Sequence, residues 1–186
     1  AGDGFESRNT LVCVVTDDMP FLVDSLGMVF AAAGIAVHLV VHPVLTAQRD
    51  RRGRLASATL AAPSARETRE SWQLFEIDRQ LDGAHLDALE HSLHKALTDV
   101  SDATADWLRM RAQMRGIALT LASRPPKKSD PEDVSEAREL LAWMEGAHFV
   151  FQGYRYYSFK RGRSEDQLIP DPGSGLGILR ARRSAK

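Results

Sequence analysis

The beginning of the sequence combines a short apolar segment, an acidic turn and an amphipathic segment that ends at a glycine. Residues 11–15 (Leu-Val-Cys-Val-Val) are rich in β-branched side chains, which predicts a buried strand. Apolar side chains then recur at helical spacing over residues 21–33, and Gly34 stands where a helix would end. A strand, a helix and a further apolar segment in this order predict the first half of a βαββαβ sandwich.

The turn between this strand and helix, residues 16–25, reads Thr-Asp-Asp-Met-Pro-Phe-Leu-Val-Asp-Ser. Asp17 or Asp18 is expected to cap the helix, because a carboxylate accepts the free N–H groups of a first turn. Pro20 fits that first turn, where its missing N–H would have no partner. The three aspartates could also hold a cation, but capping explains at least one of them, so we expect no metal site.

The remaining strands are less certain in their roles. Residues 35–44 alternate in polarity and predict the second strand. Residues 48–54 form a charged turn, after which residues 55–61 could return as a strand. Residues 71–77 alternate as well, so either of these last two segments could be the principal third strand.

Residues 82–122 predict one long helix that starts at Asp82 and carries apolar side chains at a three-four spacing. At 1.5 Å per residue it would extend about 60 Å, far beyond a small sheet. Its distal apolar stripe, residues 100–121, must therefore pack on something else. Residues 101–104 (Ser-Asp-Ala-Thr) are a weak point where the helix could break.

Beyond the long helix, Asp130 and Pro131 are placed to cap and begin another helix, which should end at Gly146 and fold back on the first. Residues 148–159 are strand-like and either close the first module or open the next. The expected domains are residues 1–123, with the extended second helix, a linker at 124–130, and residues 131–186.

Composition is that of a soluble globular protein and argues against several functional classes. Lysine and arginine total 24 against 25 for aspartate and glutamate, so the net charge of −1 argues against a dedicated nucleic-acid binder. No apolar segment is long enough to span a membrane. Residues 1–4 lack an initiator methionine and a signal-peptide pattern, which suggests an excised fragment. The basic residues 180–186 are expected to be a disordered or truncated end.

Cys13 is the only cysteine, so an intramolecular disulfide is excluded. A cysteine-based zinc site would need more thiols. Because Cys13 lies within an apolar strand, we expect a small buried side chain there rather than a reactive thiol.

Several sequence blocks resemble the amino-terminal region of the large bacterial NAD-specific glutamate dehydrogenases. The first is the turn at 16–25, followed by His-Pro-Val at 42–44. The others lie at 70–79 (Glu-Ser-Trp…Phe-Glu-Ile-Asp-Arg), 148–155 (His-Phe-Val-Phe-Gln-Gly-Tyr-Arg) and 175–180 (Gly-Leu-Gly-Ile-Leu-Arg). The blocks follow the same order across nearly the whole chain. The turn also resembles the Asp-x-Pro-Gly-Leu-Leu turn of ACT domains.

The resemblance implies an α+β, ACT-like fold: a ferredoxin-like βαββαβ sandwich with an antiparallel sheet, plus a long helix paired with a second helix. It implies a non-catalytic regulatory and assembly segment of a cytoplasmic enzyme that converts L-glutamate, NAD and water into 2-oxoglutarate, ammonium and NADH. NAD would bind only in the parent's catalytic domain. The implied partners are other domains of the same chain and further subunits paired through ACT-like domains. The alternative is a stand-alone ACT protein that senses an amino acid and controls another enzyme.

The resemblance further implies an amino-acid effector site at the turn and the start of the first helix. The residues that would form it are Asp17, Asp18, Met19, Pro20, Phe21 and Asp24. In such domains the N–H groups after the turn can receive the effector's carboxylate. Here Phe21 replaces the usual glycine, and two aspartates add negative charge where an anion would sit. Both differences favour an ACT fold used for assembly alone.

The histidines are better explained by structure than by metal binding. His38 and His42 would be about 13 Å apart on a strand, which is too far for shared ligation. His91 and His94 are neighbours on a helix, but an acidic residue lies four positions before each of them. Ordinary intrahelical pairs therefore account for both.

The alternating glycines Gly173, Gly175 and Gly177 invite comparison with a dinucleotide-binding loop. Their spacing does not match Gly-x-Gly-x-x-Gly, and Pro172 precedes them. We therefore expect no cofactor-binding, catalytic or metal-binding residue in this chain.

Overall fold

The computed structural model describes residues 7–64 and 67–180. The chain divides into two compact units, residues 1–100 and 101–186, and each is described by itself. The domain boundaries expected from the sequence, at residues 123 and 130, follow helix ends and a linker and remain predictions. The predictions for residues 1–4 and for the basic end at 180–186 fall largely on residues 1–6 and 181–186, which lie outside the described residues.

The first unit is a sheet with helices. Its strands are β1 (Thr10–Asp17), β2 (Val37–Val41), β3 (Val44–Arg49), β4 (Leu55–Thr59) and β5 (Thr68–Ile77). Its helices are α1 (Leu22–Ala32) and the larger part of α2 (Gly83–Ala105).

The second unit contains mainly helices and short strands. Its helices are α3 (Trp107–Ser123) and α4 (Pro131–Trp143), and α4 continues as a π-helical turn over Met144–His148. Its strands are β6 (Gly153–Tyr154), β7 (Tyr157–Lys160), β8 (Gln167–Pro170) and β9 (Leu176–Gly177).

Strand β5 is the centre of an antiparallel five-stranded sheet and is therefore the principal third strand of the module. It pairs with β1 along all eight residues of β1. On its other side, β2 pairs with its C-terminal half and β3 with its N-terminal half, while β4 returns beside β3 as a hairpin. The predicted second strand is thus divided in two at His42 and Pro43. The α+β, ACT-like fold expected from the sequence is confirmed.

Helix α1 ends as the sequence predicts. Gly34 has a φ of 69° and donates its N–H to the Ala31 carbonyl at 3.0 Å, while the N–H of Ile35 reaches the Phe30 carbonyl at 2.9 Å. This pair of bonds is a Schellman motif, which favours glycine because of its left-handed backbone. Ile35 then packs against the core beside α1.

The core of the first unit lies between one face of the sheet and its helices. Phe30 and Phe75 are in ring contact, with centroids 5.1 Å apart. The six fully buried members of the cluster are Leu26, Phe30, Phe75, Ile77, Leu89 and Leu93. They come from α1, β5 and α2, so the helical and strand periodicities converge on one cluster.

The opposite face of the sheet is open, and this corrects the prediction for Cys13. Val12 and Val14 of β1 pack against the core, so the intervening residue points the other way. Cys13 is exposed, and so is its neighbour on that face, Val15. The strand is buried on one face only, whereas the apolar composition suggested burial on both.

The predicted long helix is two helices, α2 and α3, with Asp106 between them. The break lies just after the weak point at residues 101–104. By contrast, the start of α4 is confirmed: Asp130 Oδ1 accepts the N–H of Glu132 at 2.9 Å, and Pro131 is the first helical residue.

The distal apolar stripe is partly covered within the second unit. The sequence suggested that helix α4 would cover it, but the segments after α4 contribute as well. Met110 is buried in a cluster with Phe151 and Leu176, and Trp107 and Met114 pack against that cluster. The rings of Trp107 and Phe151 lie 5.8 Å apart. The strand-like segment after α4 therefore belongs to this core, with β6 paired to β9 and β7 to β8.

Candidate functional site

The acidic turn after β1 is arranged differently from the helix cap that was predicted. Asp17 ends β1 opposite Glu70 and is exposed. Asp18 donates its N–H to the Arg69 carbonyl at 3.0 Å, and its carboxylate lies 3.3 Å from Arg69 Nε. Neither aspartate caps α1, because Asp18 is drawn to the neighbouring strand instead. The charge of Asp18 is balanced by an arginine that the sequence analysis did not single out.

The N-terminus of α1 is reached through Phe21, whose φ of 70° lies in the left-handed region. A bulky residue rarely adopts this conformation, and glycine adopts it freely. Phe21, which stands where the usual ACT turn has glycine, thus has a backbone conformation that glycine adopts freely. Pro20 precedes the helix instead of lying in its first turn, and Met19 is half-buried.

The N-cap residue of α1, Phe21, makes no side-chain capping hydrogen bond. A helix N-terminus of this kind favours an anion, as helix N-termini commonly do. Asp24 lies in that first turn and is exposed, so it already interacts favourably with the helix dipole. The six predicted effector residues lie on one stretch of chain, from the end of β1 to the first turn of α1.

A polar cluster interrupts the apolar, helix-facing side of β5. Ser71 is fully buried and its Oγ lies 2.8 Å from His42 Nε2. Gln73 is 3% exposed and donates Nε2–H to the same Oγ at 2.9 Å. Its Oε1 has no hydrogen-bond partner among the described residues. The sequence signal for this cluster was two polar residues at core-facing positions of an apolar strand.

Near the turn, an ion pair that sequence reasoning missed joins β3 to β5. Arg49 donates Nε–H and Nη2–H to the Glu70 carboxylate at 2.6 and 2.8 Å, and Trp72 Nε1 donates at 3.0 Å. The hydrogen bond from Arg49 holds the pKa of Glu70 below its usual value, against the opposing effect of burial. Glu70 is 5% exposed, so this pairing keeps a buried carboxylate ionised.

His38 and His94 each contact an acidic side chain, whereas His42 contacts Ser71. His38 Nε2 lies 2.8 Å from Asp78 Oδ1, and His94 Nε2 lies 3.6 Å from Glu90 on the same helix, as predicted. The N–H of Ala36 and then the His38 ring lower the pKa of Asp78. Within residues 7–64 and 67–180, no three His, Cys, Asp or Glu residues are grouped so as to hold a metal ion.

The glycine-rich segment near the C-terminus allows close packing of the backbone and donates a hydrogen bond to a buried carboxylate. Asp106, 2% exposed, accepts the N–H of Gly177 at 2.9 Å and the guanidinium of Arg180 at 2.7 Å. A Cβ at Gly175 would collide with the Leu179 carbonyl, and one at Gly177 with the Gln152 carbonyl. These glycines allow close backbone approach, and the Gly177 N–H already has a carboxylate partner.

Comparison with known proteins agrees with this architecture. A family model described as the glutamate dehydrogenase ACT1 domain matches residues 1–93. The NAD-specific glutamate dehydrogenase of Halomonas elongata is 36% identical over 178 residues, which cover 95% of this chain. The chain belongs to the NAD-specific glutamate dehydrogenase family. The Pseudomonas aeruginosa member of the family is 31% identical over 97% of the chain, and the Mycobacterium tuberculosis member is 27% identical over 93%.

Within the family, this chain corresponds to a small, amino-terminal ACT-like part. It spans 11% of the length of the Halomonas and Pseudomonas relatives and 10% of the Mycobacterium relative. The matches do not favour the alternative of a stand-alone amino-acid sensor. No helix in the described part of the chain is both long and apolar enough to cross a membrane.

Proposed function

We propose that this chain is a non-catalytic regulatory and assembly segment of a large NAD-dependent glutamate dehydrogenase. The parent would convert L-glutamate, NAD and water into 2-oxoglutarate, ammonium and NADH in the cytoplasm, with NAD bound in a separate catalytic domain. The observation that supports this most is the ACT1 family match to residues 1–93, in a chain that spans only about a tenth of its relatives.

The local structure supports a role other than NAD chemistry. In dinucleotide-binding loops, backbone N–H groups at a helix N-terminus face a pyrophosphate. Here the corresponding glycine-rich segment ends in a two-residue strand, and its Gly177 N–H faces the Asp106 carboxylate. An anionic cofactor would have to displace a buried anion from that position. The segment fits a structural connection better than a cofactor site.

Assembly is the role that the turn at Asp17 to Asp24 supports best, with effector binding as its open alternative. An uncapped helix N-terminus favours an anion, but exposed carboxylates at Asp17 and Asp24 oppose one. Calorimetric titration of the chain with glutamate, aspartate, arginine and branched-chain amino acids should therefore show no saturable heat. Saturable heat whose dissociation constant changes in the Asp17→Asn/Asp24→Asn variant, and stays the same in an Asp50→Asn control, would establish an effector site at this turn.

The non-catalytic role is tested with the purified 186-residue chain. Incubation with glutamate and NAD should produce no NADH absorbance, and NADH fluorescence should not change when the chain is added. A mock preparation from host cells that do not express the chain controls for contaminating host enzyme. NADH formation in proportion to the chain, in repeated preparations, would overturn the proposal.

A further inference from the structure

The two edges of the five-stranded sheet are protected to different degrees against pairing with another strand. On the β2/β3/β4 side, β2 and β4 are five residues long, and the pairing shifts register beside both of them. Short strands and bulges are common ways to prevent unwanted strand pairing. The other edge is β1, which has eight residues, no lysine, no proline and an uninterrupted register against β5. Within the described part of the chain, β1 pairs only with β5.

This open edge is the position that the last strand of a βαββαβ sandwich normally occupies, beside the first strand. In this chain the segment after α2 continues as helix α3. The ACT1 family match likewise ends at residue 93, inside α2 and before any such strand. The backbone N–H and C=O groups on the open side of β1 are therefore a template on which another strand can pair.

We propose that this partner is β1 of a second copy of the chain, paired antiparallel about Cys13. Residues 10–16 read Thr-Leu-Val-Cys-Val-Val-Thr, which is nearly the same in both directions. Antiparallel pairing centred on Cys13 places Thr10 opposite Thr16 and Leu11 opposite Val15. Every such pair lies on the same face of both sheets, so the two sandwiches join into one continuous sheet. Such self-complementarity is what a two-fold symmetric interface requires.

Charges just outside the strand fit the same register. The residue opposite Asp17 is Asn9, and the residue opposite Asp18 is Arg8, which is exposed. Residues 10–16 carry no charge, so no like charges face each other across the strand pair. The two-fold symmetry repeats these two contacts at the other end of the strand pair. This inference rests on the proposed assembly role and specifies the surface that performs it.

The register is tested by thiol crosslinking of the 186-residue chain, which has one cysteine. Directly opposite Cβ atoms in antiparallel strands lie roughly 4.5–5.5 Å apart, close to the spacing of a disulfide. Mild oxidation or a short bismaleimide should link Cys13 to Cys13 of the second copy. In a Cys13→Ser background, the Val15→Cys side chain would lie about 13 Å from the same side chain of the second copy, because the two are four positions apart along the strand. It should crosslink at least about tenfold more slowly, and adding Leu11→Cys should restore rapid crosslinking.

Leu39→Cys in the Cys13→Ser background is the matched control, because Leu39 is exposed on the same face but on β2. Equal crosslinking of Leu39→Cys and Cys13 would indicate random collision and overturn the proposal. Crosslinking of Val15→Cys as fast as Cys13 would exclude this register. Sedimentation velocity that finds a folded monomer at all concentrations would exclude the dimer itself.

The end contacts give an independent measurement. Arg8→Glu should weaken dimerisation roughly twofold to thirtyfold, because two symmetry-related exposed pairs become repulsive. Arg51→Glu, at an exposed position in the β3–β4 turn, should leave the dissociation constant unchanged. An unchanged constant for Arg8→Glu would contradict the register. A monomer that still lacks NAD reduction would sink only this inference, whereas turnover by the chain would sink the proposed function.

Discussion

Different kinds of contact stabilise the interior of each of the two units. The first has a continuous apolar core that joins α1, β5 and α2, with Phe30 and Phe75 at its centre. Among its described residues, the second has a cluster of three buried apolar side chains, and no residue of α4, whose residues are all described, is buried. Its segments are joined by buried or half-buried carboxylates, at Asp106 and Glu145.

The carboxylates of the second unit each collect several donors. Asp106 binds Arg109, Arg180 and the Gly177 N–H, so it links α3 to the C-terminal segment. Glu145 binds Arg111 and Arg115 at 3.0 and 2.6 Å, so it links the π-helical turn to α3. A non-directional apolar core tolerates shifts, whereas these contacts require specific geometry and charge. The first unit should thus respond to loss of volume and the second to loss of charge.

The largest expected effect is the loss of an aromatic ring from the first core. Phe75→Ala should lower the free energy of unfolding of the first unit by about 3–5 kcal/mol, because it removes buried area and leaves a cavity. Chemical denaturation followed by the near-ultraviolet signal measures this change. Met28→Ala, at a helix position that is 66% exposed, is the control and should change stability by less than about 0.5 kcal/mol. Similar effects of both variants would show that the cluster is not a packed core.

Loss of the Asp106 charge should act on the second unit alone. Asp106→Asn keeps the size of the side chain but leaves donors from Arg180 and Gly177 poorly matched, at a cost of about 1–3 kcal/mol. Hydrogen exchange should show faster exchange in α3 and β9 and unchanged protection in β1 and β5. Glu136→Gln, at an exposed position of α4, is the control for loss of a negative charge and should have a smaller effect. Uniform loss of protection in both units would contradict the comparison.

The same carboxylate predicts how the second unit responds to acid. Burial alone would raise the pKa of Asp106, but the Gly177 N–H and the two arginines together lower it below the ordinary 3.8. A lowered folded-state pKa contributes stability that is complete above the unfolded value and is lost as the pH falls through the folded value. The second unit should therefore lose stability below about pH 4. In Asp106→Asn this acid limb should flatten, and an unchanged limb would assign the acid response to other carboxylates.

A smaller, opposite effect is expected at the turn before α1. Phe21→Gly should stabilise the first unit by about 1 kcal/mol, because glycine adopts the left-handed φ without steric cost. Phe21→Ala keeps a Cβ and should give little or none of that gain. Thermal melting of the three proteins measures the difference. A loss of stability in Phe21→Gly larger than in Phe21→Ala would show that the ring contacts matter more than the backbone.

Periodicity and turn chemistry were sufficient for much of the first unit. The helix ending at Gly34 and the cap at Asp130 follow local rules, so both were predicted correctly. The Cys13 prediction was wrong because composition cannot show that only one face of a sheet is covered. The cap at Asp17 or Asp18 was wrong because Arg69, distant in sequence, competes for Asp18. Long-range charge pairs leave little periodic signal.

The second unit was harder to predict for the same reason. Asp106, which lies at the break between α2 and α3, binds Arg180, 74 positions away in the sequence. The candidate effector turn could be located from its residues, but its ligand could not, because its first-turn N–H groups suit many anions. Recognition of the family came from sequence blocks rather than from a visible reaction centre.

Under the proposed function, this chain contributes assembly and regulation to a glutamate dehydrogenase and takes no part in its chemistry. The most direct measurement compares the intact parent enzyme with a form lacking residues 1–186, by NADH formation at saturating glutamate and NAD and by native mass. Turnover per catalytic domain should stay within about tenfold of that of the intact enzyme. The number of subunits in the native particle, or the response to amino acids, should change. A truncated enzyme that keeps its fold and assembly but has no turnover would contradict the proposed function.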